Sequence, residues 1–328
     1  MERNGTERNG TERNGTEWID TLRGIGILLV VLGHCNPPFI RLIYAFHMPL
    51  FFILSGYLFK KKKEIVPYKK RLGRKYIIPY FILCTVNLLL NAIIDIIFDR
   101  DLNIGKYIIG ILYSRGTTEW MPNCSPLWFL TCITIALFIY NRIMHINIAG
   151  MRMSLIIIAA AISFILDKVN VPKLPWNVDT ALMSLFFILV GQFFYKHDKL
   201  LNLDIILYVL LAALGVFVTY LNPETVSFDD NEYGNLLLML IAANTLSIFV
   251  IALAKHFNPF PRLVGFWGRH TLFIMGFDYF SGMVVSRITE NFLLLFVGKM
   301  ILLTVGILIW NKIICVISNS KLKEVLSF

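Results

Sequence analysis

Arg23 and His34 stand eleven residues apart in WIDTLRGIGILLVVLGHC, a stretch otherwise apolar enough for the interior of a lipid bilayer. On insertion scales Arg or Asp at a helix centre costs roughly 2.5–3.5 kcal/mol, so such groups are kept for partnership or chemistry. Eleven residues are close to three helical turns. The two side chains therefore share about one face, roughly 16–17 Å apart along the axis. Asp20, three residues before Arg23, lies on the same face. The turn Asn36-Pro37-Pro38 then reverses the chain and brings His47 in on the next apolar segment, at about the depth of His34. An imidazole titrates near neutral pH and can take a hydroxyl proton, or carry a group as an acyl-imidazole. A guanidinium is a permanent cation that suits phosphate. A long, thin donor with phosphates at one end and a thioester at the other, such as coenzyme A carries, would span Arg23 and His34. His47 and Asp179 are candidate partners for His34, and the three form the candidate catalytic set. Each group also has a plain structural reading. Arg23 can be an anchor that snorkels to the interface, His34 a packed polar residue, and Asp179, close to Asn177, a helix N-terminal cap.

The elements that must position these groups are membrane helices. The chain has 328 residues, 57% hydrophobic and 16% charged, where a soluble domain carries about 25% charge. Apolar runs recur too often for a soluble core, and the alternating segments that a β-barrel requires are absent. The expected fold is all-α and polytopic. About ten spans lie at 18–36, 40–59, 76–98, 126–141, 153–168, 179–196, 203–221, 234–254, 270–289 and 292–316, with excursions at 99–125 and in the acidic loop Asn222–Asn231. The basic stretch Lys60–Lys75 follows the second span. By the positive-inside rule it is cytoplasmic, which puts the N- and C-termini in the cytoplasm of a multi-pass protein of the bacterial inner membrane. The net charge of +10 then follows from topology, and no nucleic-acid partner is implied. Cys35, Cys84, Cys124, Cys132 and Cys315 show no metal or redox spacing, and no metal is expected. Nothing apolar precedes the first span, so no cleavable signal peptide is expected.

Residues 1–17 form a tail in which Glu-Arg-Asn-Gly-Thr occurs three times, and it is expected to be disordered. The pentanucleotide GAACG, read in triplets, encodes this peptide repeat. Slippage in such a tract would make expression phase-variable. Residues 18–316 form the membrane domain and 317–328 a cytoplasmic C-terminal tail. In the basic loop Arg71 and Arg74 share a helical face and can clamp phosphate, while Lys60–Lys63 suit anionic lipid headgroups. Ser55-Gly56 reads as a close helix contact rather than a nucleophile. Trp128 can stack on a sugar or belong to the interfacial belt, and Glu119 lies in the outer loop before it.

The segments WIDTLRGIGILLVVLGH and FHMPLFFILSGYLF, with Arg71-Leu-Gly-Arg74, resemble the integral-membrane acyltransferase-3 family. PLWFLTCI, LPWNVDTALMSLFFILVGQ and WGRHTLFIMGFDYF are similar to its fucose O-acetylase branch, so the resemblance spans nearly the whole membrane domain. It implies a ten-helix enzyme that takes an acetyl group from cytoplasmic acetyl-CoA and delivers it to a hydroxyl of a surface glycan or lipid-linked sugar. It implies essential roles for Arg23 and His34, and CoA-phosphate contacts for Arg71 and Arg74. Family members often carry a His after the GR-x-T-L stretch, where this chain has Asp278. The expected partners are acetyl-CoA, the glycan acceptor and membrane lipids, with room for a homo-oligomer. The rival class is a transporter or flippase, which would also have many spans, intramembrane charge and Gly-interrupted helices.

Overall fold

The computed structural model describes residues 4–99, 103–116, 121, 124–169, 172–202 and 204–316, with side chains from residue 17 onward. The tail expected to be disordered is instead helical over residues 4–17, which form the start of α1; Glu119 and the tail at 317–328 fall outside the described residues. The protein is an all-α polytopic membrane protein. Lipid offers no partner to a backbone N–H or C=O, so each long apolar stretch satisfies its own as a helix. Along the chain run α1 (Asn4–Gly33), α2 (Ile40–Tyr44), α3 (His47–Tyr57), α4 (Ile65–Leu72), α5 (Ile78–Ile97), α6 (Ile104–Tyr113), α7 (Trp128–Ile143) and α8 (Ala149–Lys168). Then follow α9 (Val178–Lys196), α10 (Ile205–Leu221), α11 (Leu236–Ala252), α12 (Pro261–Arg269), α13 (Thr271–Val285) and α14 (Phe292–Val316). Among the described residues, seven helical segments are long and apolar enough to cross a membrane. Ile205–Leu221 and Thr271–Val285 are apolar but shorter. All ten expected segments are helical.

Four details depart from a simple series of rods. The second segment is broken between α2 and α3, where Phe46 adopts φ −142°. There the His47 ring Nδ1 bonds the Ile43 carbonyl at 2.9 Å, sharing that acceptor with the Phe46 backbone N–H at 3.3 Å. The third segment starts earlier than expected: α4 runs through a π-helical turn, Gly73–Ile77, into α5. The excursion at 99–125 contains the short apolar helix α6. A further short helix, α12, sits between the eighth and ninth segments.

Two glycine contacts set the framework. A Cβ on Gly268 of α12 would lie 1.8 Å from the Asp20 carbonyl oxygen, and one on Gly24 of α1 would lie 2.0 Å from that of Val264. Likewise, a Cβ on Gly56 of α3 would lie 2.0 Å from the Ile188 oxygen, and one on Gly191 of α9 would lie 1.9 Å from that of Ile53. Backbones this close pack by van der Waals contact, which drives helix association in lipid. The Gly56 contact agrees with the packing reading of Ser55-Gly56; the Ser55 hydroxyl donates to its own helix, to Phe51 O at 2.8 Å. With α1 locked to α12 and α3 to α9, His34 and His47 end up on elements with little freedom to move.

Candidate active site

His34 follows the last residue of α1, its backbone N–H still bonded to the Val30 carbonyl at 3.1 Å. Its ring Nδ1 lies 2.6 Å from Asp278 Oδ2, on α13. A carboxylate can only accept, so Nδ1 carries the hydrogen and Nε2 presents a lone pair. The second Asp278 oxygen, Oδ1, lies 2.7 Å from Lys299 Nζ, on α14. Asp278 is fully buried and Lys299 is 2% exposed. A buried charge is tolerated when paired, and here cation, carboxylate and imidazole form one line across three helices. The Asp278 backbone carbonyl accepts from Ser281 at 2.7 Å, and the Tyr279 ring stands 5.0 Å from the His34 ring. This is the arrangement of an oriented general base: one ring nitrogen fixed, the other free to take a proton.

A cavity of about 40 Å³ adjoins His34, lined by His47, Tyr44, Trp128, Phe129 and Asp229 among others. His47 lies on the same cavity as His34, at the start of α3. Asp229 enters from the acidic loop. Burial and the neighbouring Asp230 carboxylate raise its carboxyl above the ordinary range, and Ser227 donates to its Oδ1 at 2.6 Å. Gly234 (φ +63°) closes this loop, where a Cβ would stand 2.3 Å from the Asn222 amide oxygen.

Asp179 is not the acid that partners His34. Its two oxygens take the Arg115 Nη1 at 2.7 and 2.9 Å, with further bonds from the backbone N–H groups of Thr180 and Leu174. Asp179 is 2% and Arg115 5% exposed, so this is a second buried ion pair, tying the segment before α7 to the head of α9. The reason is topological. Asp278 approaches His34 from α13, 244 residues away, which no local pattern reveals.

At the other end of α1, Arg23 Nη1 bonds Asp20 Oδ1 at 3.0 Å, and Arg269 of α12 reaches Asp20 Oδ2 at 3.5 Å. Two guanidinium groups thus share one carboxylate. A separate basic cavity of about 220 Å³ opens beside α4, lined by Lys60, Lys62, Arg71, Lys75, Tyr68 and Tyr76. Arg71 also borders an adjoining space of about 350 Å³ with Lys62 and Lys63. Arg74 is exposed and is not among the residues lining either space. The π-helical turn adds a residue after Arg71, so the face expected to carry both arginines carries Arg71 and Lys75 instead.

Lys299, Asp229, Arg269 and Arg115 are parts of these clusters that sequence reasoning missed. Lys299 had a signal: it sits in the otherwise apolar run FLLLFVGKMILLTVGILIW, where an isolated cation calls for a partner.

The fold is that of a polytopic helical membrane protein, and its buried line presents an oriented histidine at a small cavity. The acyltransferase-3 family model, described as an acyltransferase domain, matches residues 16–318, and the chain belongs to that family. No curated protein and no solved structure matches it.

Proposed function

We propose that this membrane acyltransferase moves an acetyl group from cytoplasmic acetyl-CoA to a hydroxyl of a cell-surface polysaccharide or lipid-linked sugar, in the bacterial cytoplasmic membrane. The observation that carries the reading is the buried line His34–Asp278–Lys299 at the edge of a small cavity. His34 Nε2 takes the proton of the acceptor hydroxyl. The oxygen attacks the thioester carbonyl, the C–S bond breaks, and the proton passes to the departing CoA sulfur. Asp278 holds the ring tautomer and balances the imidazolium that forms, as in other histidine–carboxylate pairs. Lys299 holds Asp278 in place. His47, with Nδ1 committed to the chain, lines the same cavity and positions the acceptor or the acetyl group.

The cavity size supports a short acyl group. About 40 Å³ has room for roughly three waters, at 10–15 Å³ of probe volume each. The basic cavity at Arg71 suits the nucleotide phosphates of the donor, and Arg23 with Arg269 suits its remaining charge. The similarity to the fucose O-acetylase branch favours a sugar acceptor. The pentapeptide repeat near the start supports slippage-controlled, phase-variable expression. Sequencing the gene tests that part, and codons other than the GAACG tract would end it. The acyl-transfer reading is tested by glycan mass spectrometry on cells with and without the chain. A gain of one acetyl mass that depends on the chain is expected. Identical glycans in both strains would remove the reading and return transport to first place.

A further inference from the structure

The acidic loop between α10 and α11 is built rather than loose. Ser227 and Glu232 exchange two backbone hydrogen bonds at 2.8 Å, and the Thr180 hydroxyl donates to the Phe228 carbonyl at 2.7 Å. The Asn231 amide donates to Ser163 O at 3.0 Å, and the Phe228 ring packs against Phe52, Phe187 and Tyr233. This framework fixes Asp229 on the cavity that holds His34, His47 and Trp128. Among the described residues no Lys or Arg forms a salt bridge with Asp229. The nearby Lys173 bonds the Asp230 carbonyl and stands 3.8 Å from Glu232. His47 lines the same cavity: it is 8% exposed, its Nδ1 bonds the Ile43 carbonyl, and among the described residues no hydrogen bond is made to its Nε2. The cavity is too small for a sugar ring, so only part of an acceptor, such as one hydroxyl, enters the space that Asp229 and Trp128 line.

We propose that Asp229, Trp128 and His47 form an acceptor subsite for an uncharged sugar with two adjacent hydroxyls. One hydroxyl points to His34 Nε2. Its neighbour donates to the Asp229 carboxylate, and the apolar face of the ring lies on Trp128. Carboxylates accept hydroxyl hydrogen bonds well and repel other anions, so a uronate or phosphate-bearing ring is turned away by like charge. The proposal rests on the acyl-transfer reading and narrows its acceptor.

The test is ligand-observed NMR with the full chain in detergent, using methyl glucoside and methyl glucuronide as probes and no acetyl-CoA. The native chain is expected to bind the neutral glycoside at least about tenfold more tightly than the uronide. Asp229→Asn should bring the two within about twofold, while Asp230→Asn, outside the cavity, keeps the native preference. The native comparison needs no variant and stands even if Asp229→Asn fails to fold. Equal binding of the two probes, binding of neither, a preference retained in Asp229→Asn, or one lost equally in Asp230→Asn overturns the subsite. Because the readout is binding, it separates from the parent reading. Glycans acetylated by a chain that shows no charge preference would sink the subsite alone. A charge preference without any acetylation would sink the acyl-transfer reading alone.

Discussion

Asp278 holds the hydrogen of one His34 nitrogen, so its removal should damage the reaction without emptying the cavity. Asp278→Asn is expected to lower transfer about 10²–10⁴-fold, because an amide can present the wrong group to Nδ1 and no longer balances an imidazolium. Lys299→Met should also lose activity, and Lys299→Arg should restore part of it; equal failure of both at normal abundance would mean that Lys299 only fills space. Acetyl transfer per unit of folded protein is the quantity to follow. At the opposite end of the bundle a carboxylate works for stability. Asp198 accepts from Tyr57 at 2.9 Å and pairs with Lys255 at 2.7 Å. Burial alone would raise its carboxyl, but these two partners outweigh burial and hold it below the ordinary value. The folded state thus binds this proton less tightly than the unfolded one. The contribution is present above about pH 4 and is lost as the pH falls through the lowered folded value. Thermal unfolding in detergent from acid to neutral pH should show that slope, and Asp198→Asn should flatten it; an unchanged slope would remove Asp198 from the account. At this scale the sequence displayed Arg23 and His34, because an eleven-residue interval is local. It displayed Asp278 only as a departure from a pattern. The partner of His34 lies 244 residues along the chain, and Asp179 was a plausible but mistaken substitute, since its own partner Arg115 is also non-local, 64 residues away.

Helices bring these groups together through a few close contacts and one irregular turn. Gly191→Ala puts a Cβ 1.9 Å from the Ile53 oxygen, so α3 and α9 must separate. Overpacking of this kind costs at least about 1–3 kcal/mol, and reduced membrane abundance with a lower melting temperature is expected. Gly150→Ala in α8 meets open space and should gain roughly 0.5–1 kcal/mol from helix propensity. If both variants melt alike, the glycine contact is not what holds the pair. The π-helical turn makes a kinetic prediction. Arg71 lines the basic cavity and Arg74 does not, so Arg71→Ala should raise the acyl-CoA KM about tenfold or more, by loss of a charged hydrogen bond, and Arg74→Ala about twofold at most. Equal effects would return the two arginines to one face. Spacing alone could not show this, because a three-residue interval shares a face only in regular helix and nothing in RLGRK announces the inserted residue. The short helices α6 and α12 escaped for a related reason. Ten residues or fewer give too little periodicity to separate a helix from a loop between spans.

Across the whole molecule, ten apolar stretches sufficed for the fold class, since lipid admits few ways to satisfy a backbone. What length and hydropathy left out is which helices touch. That order is set by small residues and buried charges: Gly24 with Gly268, Gly56 with Gly191, and Asp278 between His34 and Lys299. The resulting bundle has a basic cavity at Arg71 and a small cavity at His34, with Arg23 about three helical turns from His34 along α1. A donor charged at one end and reactive at the other matches this arrangement. The measurement that bears on it most directly is glycan mass spectrometry on cells carrying the native chain, His34→Ala or Asp278→Asn, at matched membrane abundance. One acetyl mass present with the native chain, absent with His34→Ala and sharply reduced with Asp278→Asn is the predicted result. Acetylation that persists undiminished in His34→Ala would contradict the assignment of the chemistry to the buried His34–Asp278–Lys299 line.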